Sequence, residues 1–171
     1  MKAWMWKPGC YLLGLVITLG AHLAPAKEFL TPQEIENIQE AQDIDARVKV
    51  YLAAAALRLK TATDRLAGIE STPGDPLEFF SVEDMLDGYY QILRSVMLNL
   101  DDASAKPSTD PKKVQAALKN LKSATEAAVR QLDALKRIAE EQRREEVWKL
   151  VGKAIEINNG AHEGAVAALA K

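Results

Sequence analysis

Cysteine is all but missing from this chain of 171 residues, which has one, Cys10, near its start. An internal disulfide is therefore impossible, and a cysteine-ligated metal site or a thioether-linked haem has no ligands to draw on. Histidine is almost as rare, with two, His22 and His162. Zinc needs several nitrogen or sulfur ligands, and a di-iron carboxylate site needs Glu-x-x-His pairs on facing helices. The residue three before His162 is Asn159, so that pattern does not arise. Glycine, proline and aromatics are also sparse, at 9 residues, 7 residues and 6%. What fills the chain is Ala, Leu, Lys and Glu, the strongest helix formers, and the composition therefore predicts an all-α fold.

Neither sign of charge dominates, with 22 basic and 24 acidic residues. Nucleic acid is not an expected partner, because phosphate binding needs a basic surface. There is no apolar stretch long enough to cross a hydrocarbon core of ~30 Å comfortably. The longest, Tyr11 to Ala21, follows Lys2 and Lys7 and precedes Ala24-Pro25-Ala26. A basic start, a short apolar run and an A-x-A site make up a secretory signal peptide, expected here over residues 1–26 with cleavage after Ala26. A retained N-terminal anchor is the alternative. No Arg pair precedes the run, which favours the general secretory route. Cys10 lies before the run rather than after it, so it is badly placed for lipid attachment. Cleavage would remove two of the 22 basic residues and none of the 24 acidic ones, leaving a net charge of −4 on residues 27–171. That remainder is expected to be one helical domain, periplasmic or secreted, with no stable membrane span.

Helix signals then follow in order. Thr31-Pro32-Gln33-Glu34 is a capping box with proline at the first helical position, and Leu30 and Ile35 are placed to staple it. Apolar or small residues recur at Ile38, Ala41, Val48, Leu52, Ala55, Leu59, Ala62 and Leu66, interrupted only by Asp45. Gly68 is a natural C-cap, so one helix is expected from Pro32 to Ala67. After a Pro/Gly/Ser loop, Ser81 and Asp84 open a second helix with the seam Val82, Leu86, Tyr89, Leu93, Val96 and Leu100. Asp110-Pro111 opens a third, with Val114, Leu118, Leu121, Thr125, Ala128, Leu132, Leu135 and Ala139. The wholly polar tract 140–146 breaks the phase. A new seam follows at Trp148, Val151, Ile155, Asn158, His162, Ala165 and Leu169. The spacing predicts an up-down-up-down four-helix bundle with a turn in that tract; the alternative is three helices, the third very long. Trp148, at the start of the last helix, is expected to plug the bundle end.

No motif for catalysis is found: neither a G-x-S-x-G elbow nor a G-x-x-x-x-G-K-[ST] phosphate loop is present. Asp101, Asp102 and Asp110 lack calcium-loop spacing, and helix capping accounts for them better. Met85 or Met97 with His162 would make a formal haem ligand pair, but core filling explains the methionines more simply. Lys112, Lys113, Lys119 and Lys122 read as a solvated face or a docking surface. The one pointed constellation is polar and interior. Helical rise would bring His162 and Asn158 level with Tyr51, Asn99 and Thr125. Such a layer either fixes the pairing of helices or binds a small ligand. No enzyme activity, metal or cofactor is expected. The expected role is binding, to an envelope protein or to itself, with a small-ligand carrier as the alternative.

Overall fold

The computed structural model describes residues 29–170, so the segment read as a signal peptide lies outside the described residues. Within them the protein is all-helical, with five helices and no strand: α1 (Pro32–Glu40), α2 (Ile44–Leu66), α3 (Val82–Ala105), α4 (Pro111–Glu141) and α5 (Glu145–Leu169). The local start signals act as expected. Thr31 N donates to Glu34 Oε2 at 2.8 Å, and Glu34 N donates to Thr31 Oγ1 at 3.3 Å. Ser81 and Asp84 close the same box on α3. Asp110 Oδ1 accepts from Lys112 N at 2.9 Å to begin α4.

The expected single helix from Pro32 to Ala67 is in fact two. Residues 41–43 fold α1 back along α2, bringing Glu34 to Arg58, 24 positions further on. In a straight helix those two would stand ~36 Å apart. Nothing local forces the bend, for the sequence has neither glycine nor proline between Pro32 and Leu66. Tertiary bonds hold it. Arg47 Nη2 takes the carbonyl of Ala41 at 3.2 Å, Lys113 on α4 meets Asp43 at 3.2 Å, and Arg58 grips Glu34. Asp45, the one irregularity in the apolar seam, lies just beyond the break.

The C-termini of α2 and α4 close in the same way. At Gly68, φ is +79°, and Gly68 N and Ile69 N donate back to Arg65 O and Asp64 O. After α4 the left-handed residue is Arg143, with φ +55°, and Arg143 N and Arg144 N donate to Glu140 O and Ala139 O. This is the backbone motif that usually employs glycine. The turn expected in the 140–146 tract is therefore present, and one continuous helix is not.

α2 and α5 each pack against both α3 and α4, while α3 and α4 barely touch each other. α1 rests on α2 alone among the helices. Lys113 with Asp43 at one end, and Gln142 Nε2 with Leu66 O at the other, align α2 and α4 in the same direction. Arg144 with Glu83, and Tyr89 with Asn158, do so for α3 and α5. Consecutive α3 and α4 thus stand diagonally opposed. The connection over residues 106–110 can reach ~17 Å when extended. That suffices for the ~13 Å diagonal of helices packed about 9 Å apart.

The α3 seam is buried as expected from Val82 through Leu100. α5 is turned by one position. Val147, Val151, Ala154, Asn158, Ala161 and Ala165 are innermost, and Ile155 and His162 fall to the flank. Trp148 is 41% exposed, with Lys136 Nζ 5.2 Å from its ring, so it is not an end plug. Alanines at the centre let α5 approach two neighbours closely, which the larger side chains would prevent.

Candidate functional site

A chain of polar side chains crosses the interior between α3, α4 and α5. Tyr89 OH donates to Asn158 Oδ1 at 2.8 Å, and Asn158 Nδ2 donates to the backbone carbonyl of Thr125 at 3.1 Å. Thr125 Oγ1 lies 2.9 Å from the carbonyls of both Leu121 and Lys122, and 3.2 Å from His162 Nδ1. The single hydroxyl proton serves the carbonyls of its own helix, so His162 Nδ1–H is assigned as the donor to Thr125 Oγ1. Tyr89, Thr125 and Asn158 are at most 2% exposed, whereas His162 is half-buried. Burial pushes the Tyr89 phenol well above its usual range and keeps it a donor.

Of the five residues expected in this layer, Asn158, Thr125 and His162 do come together. Tyr51 is half-buried against the core and takes no part in these bonds. Asn99 Nδ2 donates to Ser95 O on its own helix at 2.7 Å, and its side chain faces a shallow cleft with Gln42 and Arg47. The residue missed was Tyr89. Its place on the α3 seam was a signal, because a buried tyrosine needs a partner for its hydroxyl. Choosing Asn158 as that partner required knowing that α3 and α5 lie side by side.

Inside the layer each polar side chain has a partner. Among the described residues, buried side-chain atoms without a hydrogen bond are Asp45 Oδ1, which has Lys113 Nζ at 3.7 Å, and Arg47 Nε, both beside the α1–α2 bend. A groove of about 200 Å³ between α2 and α4 has Tyr89 and Thr125 in its lining, with Leu52, Ala55, Leu59 and Ala128. Typical small-molecule sites run from ~300 to ~1,000 Å³. A larger trough, about 680 Å³, follows α3 and α5. Leu86, Tyr90, Leu150 and Ile157 give it apolar walls, and Asp87, Lys153 and Glu156 add charge. Among the described residues no group of three or more His, Cys, Asp or Glu is placed to hold a metal ion. Met85 is fully buried in the core and Met97 packs against it.

The second polar feature was not foreseen. Arg58 is 1% exposed and meets Glu34 through a two-pronged pair, Nη1 to Oε1 at 2.5 Å and Nη2 to Oε2 at 2.6 Å. Nη2 also donates to Phe29 O at 2.9 Å. Gly88 of α3 faces the stem of Arg58: a Cβ there would lie 3.5 Å from Arg58 Cγ, in ordinary contact. Burial raises the Glu34 pKa, but Arg58 and the Thr31 N–H outweigh it and hold the carboxyl below its usual value. Periodicity placed Leu59 in the core and left Arg58 unremarked, since a buried arginine is rare unless paired.

Among the described residues no helix is long and apolar enough to cross a membrane. Comparison with protein-family models, with curated proteins and with solved structures finds no match.

Proposed function

We propose that the chain is an exported, non-enzymatic up-down-up-down four-helix bundle that acts by binding another protein, either an envelope component or a second copy of itself. The observation that carries this reading is the α3–α5 trough. It is open along α3 and α5, with apolar walls and flanking charged side chains of the kind an amphipathic partner helix meets. The interior polar layer supports the same reading from the other side. Tyr89, Asn158 and Thr125 are engaged with one another, as in a device that sets helix register. Export rests on residues 1–26, with their basic start, apolar run and A-x-A site.

A second reading, a carrier of a small ligand, has the α2–α4 groove in its favour, with Tyr89 and Thr125 as its polar groups. Native and denatured mass spectrometry of the protein recovered from its own cells separates the two. A denatured mass beginning at Lys27 supports export, and one retaining residues 1–26 refutes cleavage. A native mass equal to the chain plus a protein, or to a multiple of the chain, supports binding. A small excess mass that vanishes on denaturation promotes the carrier.

A further inference from the structure

We propose that α1 is an exchangeable element: in a two-fold dimer residues 41–43 straighten, α1 and α2 become one helix, and each copy's Glu34 enters the Arg58 cradle of the other. This does not rest on the binding role proposed above. It needs only α1, its hinge and the cradle.

The cradle demands a carboxylate. A guanidinium 1% exposed, with Phe29 O as a further acceptor, must be paired if it is to stay charged in the interior. Which copy supplies the carboxylate is immaterial to Arg58. α1 itself has no buried residue and packs on no helix but α2; Phe29 and Leu30 just before it pack against the core and would be exchanged with it. Domain exchange needs a separable element with a specific seat, and α1 with Arg58 is such a pair.

The hinge favours straightening. Gln39, Glu40, Ala41 and Gln42 are good helix formers, and the seam Ile38, Ala41, Val48 runs through the break at helical spacing. The bend leaves Arg47 Nε buried without a hydrogen-bond partner, and the Asp43 side chain caps nothing on α2, although Lys113 lies 3.2 Å from Asp43 and 3.7 Å from Asp45 Oδ1. Straightening would add backbone bonds across residues 41–44. It would also carry Glu34 ~36 Å from the Arg58 of its own chain, so only another copy's cradle remains for it. Two straightened helices laid antiparallel about a two-fold axis beside Ala46, midway between positions 34 and 58, seat both carboxylates at once. A short connection that holds a bend against local helix preference is the kind of hinge that invites exchange.

Light scattering after size separation, on the full chain warmed to just below its melting midpoint at rising concentration and then cooled, gives the first test. The wild type is expected to show a dimer fraction that grows with concentration. Gln42→Pro is expected to remain monomeric, because proline inside a straight helix loses a bond and clashes with the preceding turn. The bent form meets the demand proline makes on the residue before it, since Ala41 at φ −69°, ψ 104° already has the extended geometry that precedes proline. A wild type monomeric at every concentration, or a Gln42→Pro chain that dimerises equally, overturns the proposal.

Mixing gives the second. Glu34→Ala and Arg58→Met each break the pair, and only exchange between the two chains restores one native pair while relieving both orphaned charges. Native mass spectrometry of an equimolar mixture is expected to show heterodimer at least tenfold above either homodimer, even if each variant alone folds poorly. A mixture that contains no more heterodimer than random association overturns the idea.

Discussion

Replacing Tyr89 by phenylalanine deletes one oxygen from the centre of the molecule and strands Asn158 Oδ1, on a residue 1% exposed. A buried acceptor left without its donor costs ~1–3 kcal/mol, so a loss of about 2 kcal/mol is expected. Asn158→Leu strands the Tyr89 hydroxyl instead, 2% exposed, and frees the Thr125 carbonyl of its second donor. That too is expected to cost about 2 kcal/mol. The double replacement removes donor and acceptor together and leaves an apolar contact of similar volume. Its cost should be under ~1 kcal/mol, giving a coupling of about 3 kcal/mol between the two sites. Urea unfolding at neutral pH measures this: with a slope near 2 kcal/mol/M, each single variant moves the midpoint down by about 1 M. The double variant returns most of the way. Single costs that simply add would refute the reasoning, since the two side chains would then not depend on one another. A Tyr89→Phe chain as stable as the wild type would refute it as well.

Three further outcomes are expected. His162→Leu should leave the fold intact at a cost below ~1 kcal/mol by thermal unfolding, because the Thr125 hydroxyl keeps its own-helix carbonyls. Arg143→Gly should stabilise by roughly 0.5–1 kcal/mol, or about 2 °C in melting temperature; a left-handed non-glycine residue costs ~1–2 kcal/mol, less the extra freedom of glycine in the unfolded chain. Glu34→Gln should cost about 2–3 kcal/mol at neutral pH, below the full penalty for a broken buried pair because α1 can lift away. The folded Glu34 pKa lies below the ordinary 4.5, so its contribution is complete above that value and is lost as pH falls through the folded one. Urea titrations down the pH scale should therefore show the two proteins converging in acid, and a gap that persisted there would contradict the assignment.

Signals confined to one turn of chain proved readable. The boxes at Thr31 and Ser81, the Asp110 cap and Gly68 all act where the residues stand, because a cap bonds only to its own helix. Phase was readable too where large apolar residues carried it, as on α3. On α5 the same rule slipped by one position, since it weighted Trp148 and Ile155 above the alanines that let the helices close up.

Composition and periodicity by themselves determined that the fold is all-helical, where most helices begin, and that Asn158 and Thr125 face inward; these follow from backbone propensity and a repeat near 3.6 residues, both local properties. Tertiary structure alone decided the rest. It set α3 beside α5 and so paired Tyr89 rather than Tyr51 or Asn99 with the layer. It also bent the chain at residues 41–43 and drew Arg58 inside, for a buried charge is tolerable only once its counter-ion, 24 positions away, has been brought to it.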